Sequence, residues 1–342
     1  MGCLFGGEAA KQTTHINIIF LLRKGAEGDM MGKFRMQYGM TSASQEPRVN
    51  PSRRSSKQLA IYALFTGGVA IGCVPIFVRL SEVGPSATAF WRVLLALPVF
   101  LAWMFLERKQ GMARRPREAA EYALMAAAGL FFAADLTVWH WSIKLTSVAN
   151  ATLLANFAPI FVALGGWLLY RQRVSLRFVI GMLTALAGTV FLVGTSFSVS
   201  SQHLLGDVLG LVAATFYAGY MLTIKRLRED FSTPTTLAYS GVAACIALLT
   251  ISLAMDEVLI PATPAGWLDL FGLAWFAHVG GWGLITYALA QLPAAFSSVG
   301  LLIQPVVATL LAYLMLGEPL GMAQVTGGAL VLAGIIIARR AT

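Results

Sequence analysis

Two charged residues stand where charge is costly: Arg92 in AFWRVLLAL and Asp135 in FFAADLTVW, each inside an apolar run. Both lie about seven residues from the nearer end of their runs, roughly 10 Å deep at 1.5 Å per residue. Opposite charges at one depth on consecutive segments are expected to form an intramembrane ion pair, because an unpaired charge there is expensive. Such a pair either holds two segments together or engages a substrate carboxylate or ammonium. Amides form a second set. Asn156 precedes Pro159 by three residues, and Gln304 directly precedes Pro305. A proline lacks the amide hydrogen and frees a carbonyl about four residues upstream. That carbonyl and a neighbouring amide offer a ligand both donors and acceptors; the alternative is hydrogen bonding between segments. The third set lies in FGLAWFAHVGGWGLITYALA (271–290), where Trp275, His278 and Trp282 share one face if the segment is an α-helix. Two indoles and an imidazole suit an aromatic or cationic substrate, or else interhelical packing. Tyr217 and Tyr220 are further binding candidates.

This repertoire excludes most catalysis. His15, His140, His203 and His278 are scattered, the apolar runs hold no paired carboxylates, and Cys3, Cys73 and Cys245 have no ligand spacing. No phosphate-cradling loop, metal set or cofactor motif is present, so neither an enzyme nor coupling to ATP within the chain is expected. A channel is the other non-enzymatic reading.

The elements that must carry these residues follow from composition. The chain has 342 residues, 57% hydrophobic and 12% charged, half the charge of a soluble domain. Apolar runs of roughly 20 residues recur, each long enough to cross a ~30 Å hydrocarbon layer as a helix. Ten are read, at 58–79, 85–106, 119–142, 147–169, 176–195, 205–225, 235–255, 266–290, 294–316 and 322–340. The net charge of +9 sits in the gaps between them, which argues for a lipid bilayer rather than nucleic acid as the partner. Arg108, Lys109, Arg114, Arg115, Arg117, Arg171, Arg173, Arg177, Lys225, Arg226, Arg228, Arg339 and Arg340 all fall on one side if ten runs alternate. The positive-inside bias makes that side cytoplasmic and puts both termini there, in the cell (inner) membrane. Residues 1–57 are polar and basic, and are expected to be a disordered cytoplasmic tail or an upstream stretch preceding a later start at Met30, Met31, Met36 or Met40.

The runs are also related to one another. NATLLANFAPIFVALGGWLLY (150–170) and FSSVGLLIQPVVATLLAYLML (296–316) carry Pro159 and Pro305 in one register, 146 residues apart. Gly181 and Gly327, then Gly188 and Gly334, keep that offset. Each repeat therefore holds five runs, 58–195 and 205–340, and an odd number inverts the second copy in the membrane. Inverted repeats build secondary transporters, with the binding site near the midplane.

LMLGEPLGMAQVTGGALVLAGIII (314–337) resembles the fourth-to-fifth-helix segment of the drug/metabolite transporter superfamily, EamA branch. In the first copy, LLYRQRVSLRFVIGMLTALAGTVFLVG (168–194), Gln172 replaces the usual acidic residue, and Arg92 resembles an arginine common in the family's second helix. The resemblance implies an all-α integral membrane protein, with ten helices as two inverted five-helix repeats around a central cavity. Helices 1, 3, 4, 6, 8 and 9 would line that cavity, with 5 and 10 peripheral. It implies a transporter of small-molecule metabolites, most often an exporter of amino acids or related compounds, without a cofactor. Drugs, nucleosides and other metabolites are the alternative substrates. Fused halves can work as a monomer, with Pro159 and Pro305 as helix breaks.

Overall fold

Proline and glycine punctuate the apolar runs, and the helix boundaries follow them. The structure, a computed structural model, describes residues 51–146, 148–193, 203–316 and 321–341, which belong to the unit Pro51–Thr342. All regular structure among these residues is helical. Helix α1 (Pro51–Gly72) is followed after Cys73 by α2 (Val74–Leu80), then α3 (Pro85–Lys109) and α4 (Ala119–Leu145). A broken pair follows, α5 (Val148–Ala155) and α6 (Ala158–Tyr170), then α7 (Leu176–Val193). The second half has α8 (Leu204–Asp230), α9 (Thr233–Ala254) and α10 (Pro264–Gly272). A π-helical segment (Leu273–Trp282) joins α10 to α11 (Gly283–Leu289). Last come α12 (Ala294–Gly300), α13 (Ile303–Leu316) and α14 (Met322–Arg339).

Among the described residues, nine helical segments are long and apolar enough to cross a membrane; α7 is shorter, with an apolar stretch Leu176–Leu192. Large apolar side chains such as Phe105, Trp167, Leu168 and Ile246 are exposed on the helices. That is the arrangement of a protein whose solvent is lipid. Helix α1 starts at Pro51, inside the stretch read from sequence as a tail, and the apolar span it leads into begins at Ser56. Proline is favoured at a helix start, where its missing amide hydrogen would be unpaired anyway. The rest of the expected tail, 1–50, lies outside the described residues.

The most extensive helix contact is α7 against α14. A Cβ at Gly181 would stand 2.8 Å from the Gly334 carbonyl oxygen, and one at Gly188 2.6 Å from that of Gly327. Only glycine allows backbones this close. The contact is reciprocal: the position that is first in one helix meets the position that is second in the other. Elsewhere α9 packs broadly on both α3 and α4, while α3 and α4, consecutive in sequence, touch little.

The two ends of the bundle differ in chemistry. At one end the Glu82 carboxylate accepts from the Thr263 hydroxyl and amide, and these bonds hold its pKa below the ordinary carboxylate value. Nearby, Gly84 N–H donates to Val258 O at 3.0 Å, and Trp91 Nε1 donates to Leu259 O at 2.6 Å. At the other end, Lys225 Nζ donates to Leu289 O at 2.9 Å and Arg228 Nε to Thr286 O at 3.0 Å. Cations there satisfy the carbonyls at the C-terminus of α11.

Candidate functional site

Two of the breaks occur at corresponding places in the two related runs. Helix α5 ends at Ala155; the amides of Asn156 and Phe157 close turns onto Thr152 O and Leu154 O at 3.1 Å each. Helix α6 then starts at Ala158, with Pro159 in its first turn. In the second run α12 ends at Gly300, Leu302 N–H donates to Val299 O at 3.1 Å and Gln304 N–H to Leu301 O at 3.0 Å. Helix α13 starts at Ile303, with Pro305 in its first turn. Each proline therefore opens a helix instead of kinking one. A third break, at Cys73 with Pro75 just beyond it, separates α1 from α2.

These three breaks open on one cavity of about 230 Å³. Gly72, Val74 and Pro75 line it from the first break, Thr152, Asn156 and Pro159 from the second, and Leu301, Gln304 and Pro305 from the third. Asp135, Leu136 and Trp139 of α4 and Tyr217 of α8 complete the wall. The volume lies below the range of drug-sized pockets, roughly 300–1,000 Å³, and suits a small metabolite. Asn156 Nδ2 donates to Thr152 O at 2.9 Å, leaving its oxygen for a ligand. The Tyr217 phenol interacts with the Gln304 side chain. Of the residues singled out from sequence, Asn156, Gln304, Pro159, Pro305, Asp135 and Tyr217 thus meet in one place. Gly72, Pro75, Thr152 and Trp139 were missed; Pro75 in GCVPIF carried a readable signal, while Thr152 and Trp139 become lining residues only through packing.

The aromatic face of the 271–290 run does not form as expected. His278 and Trp282 are buried, but Trp275 is 57% exposed on the outside, its Nε1 donating to Leu95 O at 3.2 Å. The π segment is the cause. With i→i+5 bonding, about 4.4 residues make a turn instead of 3.6, which keeps His278 and Trp282 together and swings Trp275 more than about 100° away. Nor does this run line the 230 Å³ cavity. His278, Trp282 and Tyr220 instead surround Phe132, with ring centroids 5.8, 5.9 and 5.1 Å from it.

The expected Arg92–Asp135 ion pair does not close: neither residue makes a salt bridge among the described residues. Helix α9 holds α3 and α4 apart, so consecutive segments are not neighbours across their length. Arg92 is 6% exposed, its guanidinium 5.9 Å from the Phe132 ring centre, and its Nε and Nη2 have no hydrogen-bond partner. Asp135 faces the cavity. No group of three or more His, Cys, Asp and Glu side chains suited to a metal occurs among the described residues.

The profile of the EamA-like transporter family matches the chain twice, over residues 58–194 and 204–340. An uncharacterized transporter of Archaeoglobus fulgidus is 28% identical over 269 residues, covering 77% of this chain and 91% of its own length. A probable terminal-alkyne amino-acid exporter of Streptantibioticus cattleyicolor is 26% identical, covering 67% of this chain and 76% of its own length. One solved structure superposes with a TM-score of 0.68 at 18% identity, over 83% of this chain and 98% of that one, a likeness of fold.

Proposed function

We propose that this chain, which belongs to the EamA-like transporter family, moves a small metabolite across the cell (inner) membrane by alternating access, as an exporter of amino acids or related compounds. The observation that carries the reading is the cavity where the helix breaks bring Asn156, Gln304, Tyr217 and Asp135 together. Broken helices at membrane depth expose backbone groups only where something other than lipid can satisfy them. The volume favours a metabolite over a bulky drug, and the Streptantibioticus relative is described as an amino-acid exporter.

In this reading the ten helical spans form two inverted repeats, 58–195 and 205–340, with both termini cytoplasmic. Two features support the inversion: the family profile matches once per repeat, and the glycines of α7 and α14 meet reciprocally, as a two-fold axis requires. Orientation rests on the basic residues, with Lys225 and Arg228 at the end of the bundle opposite Glu82. Rocking of one repeat against the other would expose the cavity alternately to each side. Trp282, His278 and Tyr220 enter as the packed wall behind the cavity, not as its lining.

Counterflow tests the function. Purified protein in liposomes preloaded with a mixture of amino acids is challenged with labelled ones and read by mass spectrometry. Saturable exchange of a subset is expected. Exchange no faster than in protein-free liposomes would overturn the amino-acid assignment.

A further inference from the structure

Arg92 of α3 sits over the Phe132 ring of α4, one turn from Asp135, yet the two residues make no salt bridge among the described residues. Each is left incomplete in its own way. The guanidinium is nine-tenths buried with Nε and Nη2 unpartnered, and the Phe132 ring beneath it offers only a weak cation–π contact. The Trp282 indole, which packs edge-to-face with Phe132, also has its N–H buried without an acceptor among the described residues. Buried donors normally have partners, and three orphaned around one ring mark a place for an acceptor the protein does not supply. Asp135, one turn beyond Phe132 on α4, lines the cavity with no donor on its carboxyl group among the described residues. A cation suits it.

We propose that Arg92 and Asp135 are the two poles of a site for a zwitterionic head group. The substrate's ammonium sits on Asp135, and its carboxylate reaches Arg92 and Trp282 Nε1 as Phe132 turns aside. The inference rests on the transporter reading and narrows it to compounds carrying both a free amine and a free carboxylate. Charge-assisted hydrogen bonds at both ends would give an arginine and an aspartate at membrane depth a use that lipid and packing do not. A direct ion pair would satisfy the protein but leave nothing for a ligand. The separation of α3 from α4 by α9 keeps the pair open.

The test uses the full-length protein in liposomes and detergent, with three probe series that share side chains: amino acids, the matching amines lacking the carboxylate, and the matching carboxylic acids lacking the amine. Competition against labelled-amino-acid counterflow is read together with quenching of tryptophan fluorescence, since Trp139 lines the cavity. Loss of either charge is expected to weaken competition at least about tenfold. Asp135→Asn should abolish the advantage of amino acids over the acids while keeping their advantage over the amines. Arg92→Gln should do the reverse, and Arg92→Lys should retain a reduced preference for a carboxylate. If Arg92→Gln is not monodisperse, Asp135→Asn carries the test, because Asp135 has no protein donor to strand. Amines or acids competing as well as amino acids would overturn the zwitterion site while leaving the transporter reading intact. Absence of exchange or quenching with every series, as with protein-free liposomes, would remove the zwitterion site together with the amino-acid assignment.

Discussion

The cavity and the α7–α14 crossing are built from opposite materials. Around the cavity, prolines and amides interrupt helices and leave polar groups facing open space. At the crossing, Gly181, Gly188, Gly327 and Gly334 let two unbroken helices meet backbone to backbone. One region gives up packing to keep polar groups available, and the other gives up side chains to gain contact. The contrast teaches how a bundle in lipid separates its parts: with no hydrophobic drive between helices, rigidity comes from close approach, and function from the places where approach is interrupted.

The contrast is broken most severely at the crossing. Gly188→Leu or Gly334→Leu places side-chain carbon against backbone that cannot swing away, and overpacking of this kind costs about 1–3 kcal/mol or more. We expect a large loss of monodisperse protein in size-exclusion chromatography and a lower melting temperature for either variant. Normal yield and melting would mean that the crossing tolerates separation and is no brace.

At the cavity the effect should fall on transport instead. If the proposed site holds, Asn156→Leu and Gln304→Leu should each cost one ligand hydrogen bond, about 1–1.5 kcal/mol or roughly tenfold in transport efficiency, with melting nearly unchanged. Trp275→Ala, on the lipid-facing surface, provides the comparison and should leave the apparent affinity as it is. Equal effects from all three in the counterflow assay would dissolve the distinction between lining and surface.

The smallest effect belongs to the loop end. The folded-state pKa of Glu82 is lowered by its Thr263 bonds, so its contribution to stability is present above the ordinary value of 4.5 and lost as pH falls below it. Wild type should therefore lose slightly more melting temperature on acidification below about pH 4.5 than Glu82→Gln. Identical pH profiles would show that the link contributes nothing measurable.

Much of this was legible in the residues. Apolar run lengths identified the spans because lipid requires roughly 20 helical residues to cross. Shared register marked Pro159 and Pro305 as equivalent because a missing amide hydrogen interrupts any helix wherever it falls. Asn156, Gln304 and Tyr217 were found because amides and phenols at membrane depth have few cheap alternatives to a cavity or a partner. Where sequence reasoning went astray, it assumed local rules that neighbours overrule. The periodicity of an α-helix placed Trp275 beside His278 and Trp282, but the π segment moved it to the outside, and whether ten residues adopt i→i+5 bonding depends on what packs around them. Consecutive segments were taken as adjacent, and α9 came between them. The sequence by itself thus determined that the chain is built of long apolar helices and that two of them break at Pro159 and Pro305, since those features depend on single residues and their spacing. Only the tertiary structure decided which faces meet, and so left Arg92 and Asp135 near each other but unpaired. Depth is a property of one helix, whereas pairing requires the positions of three.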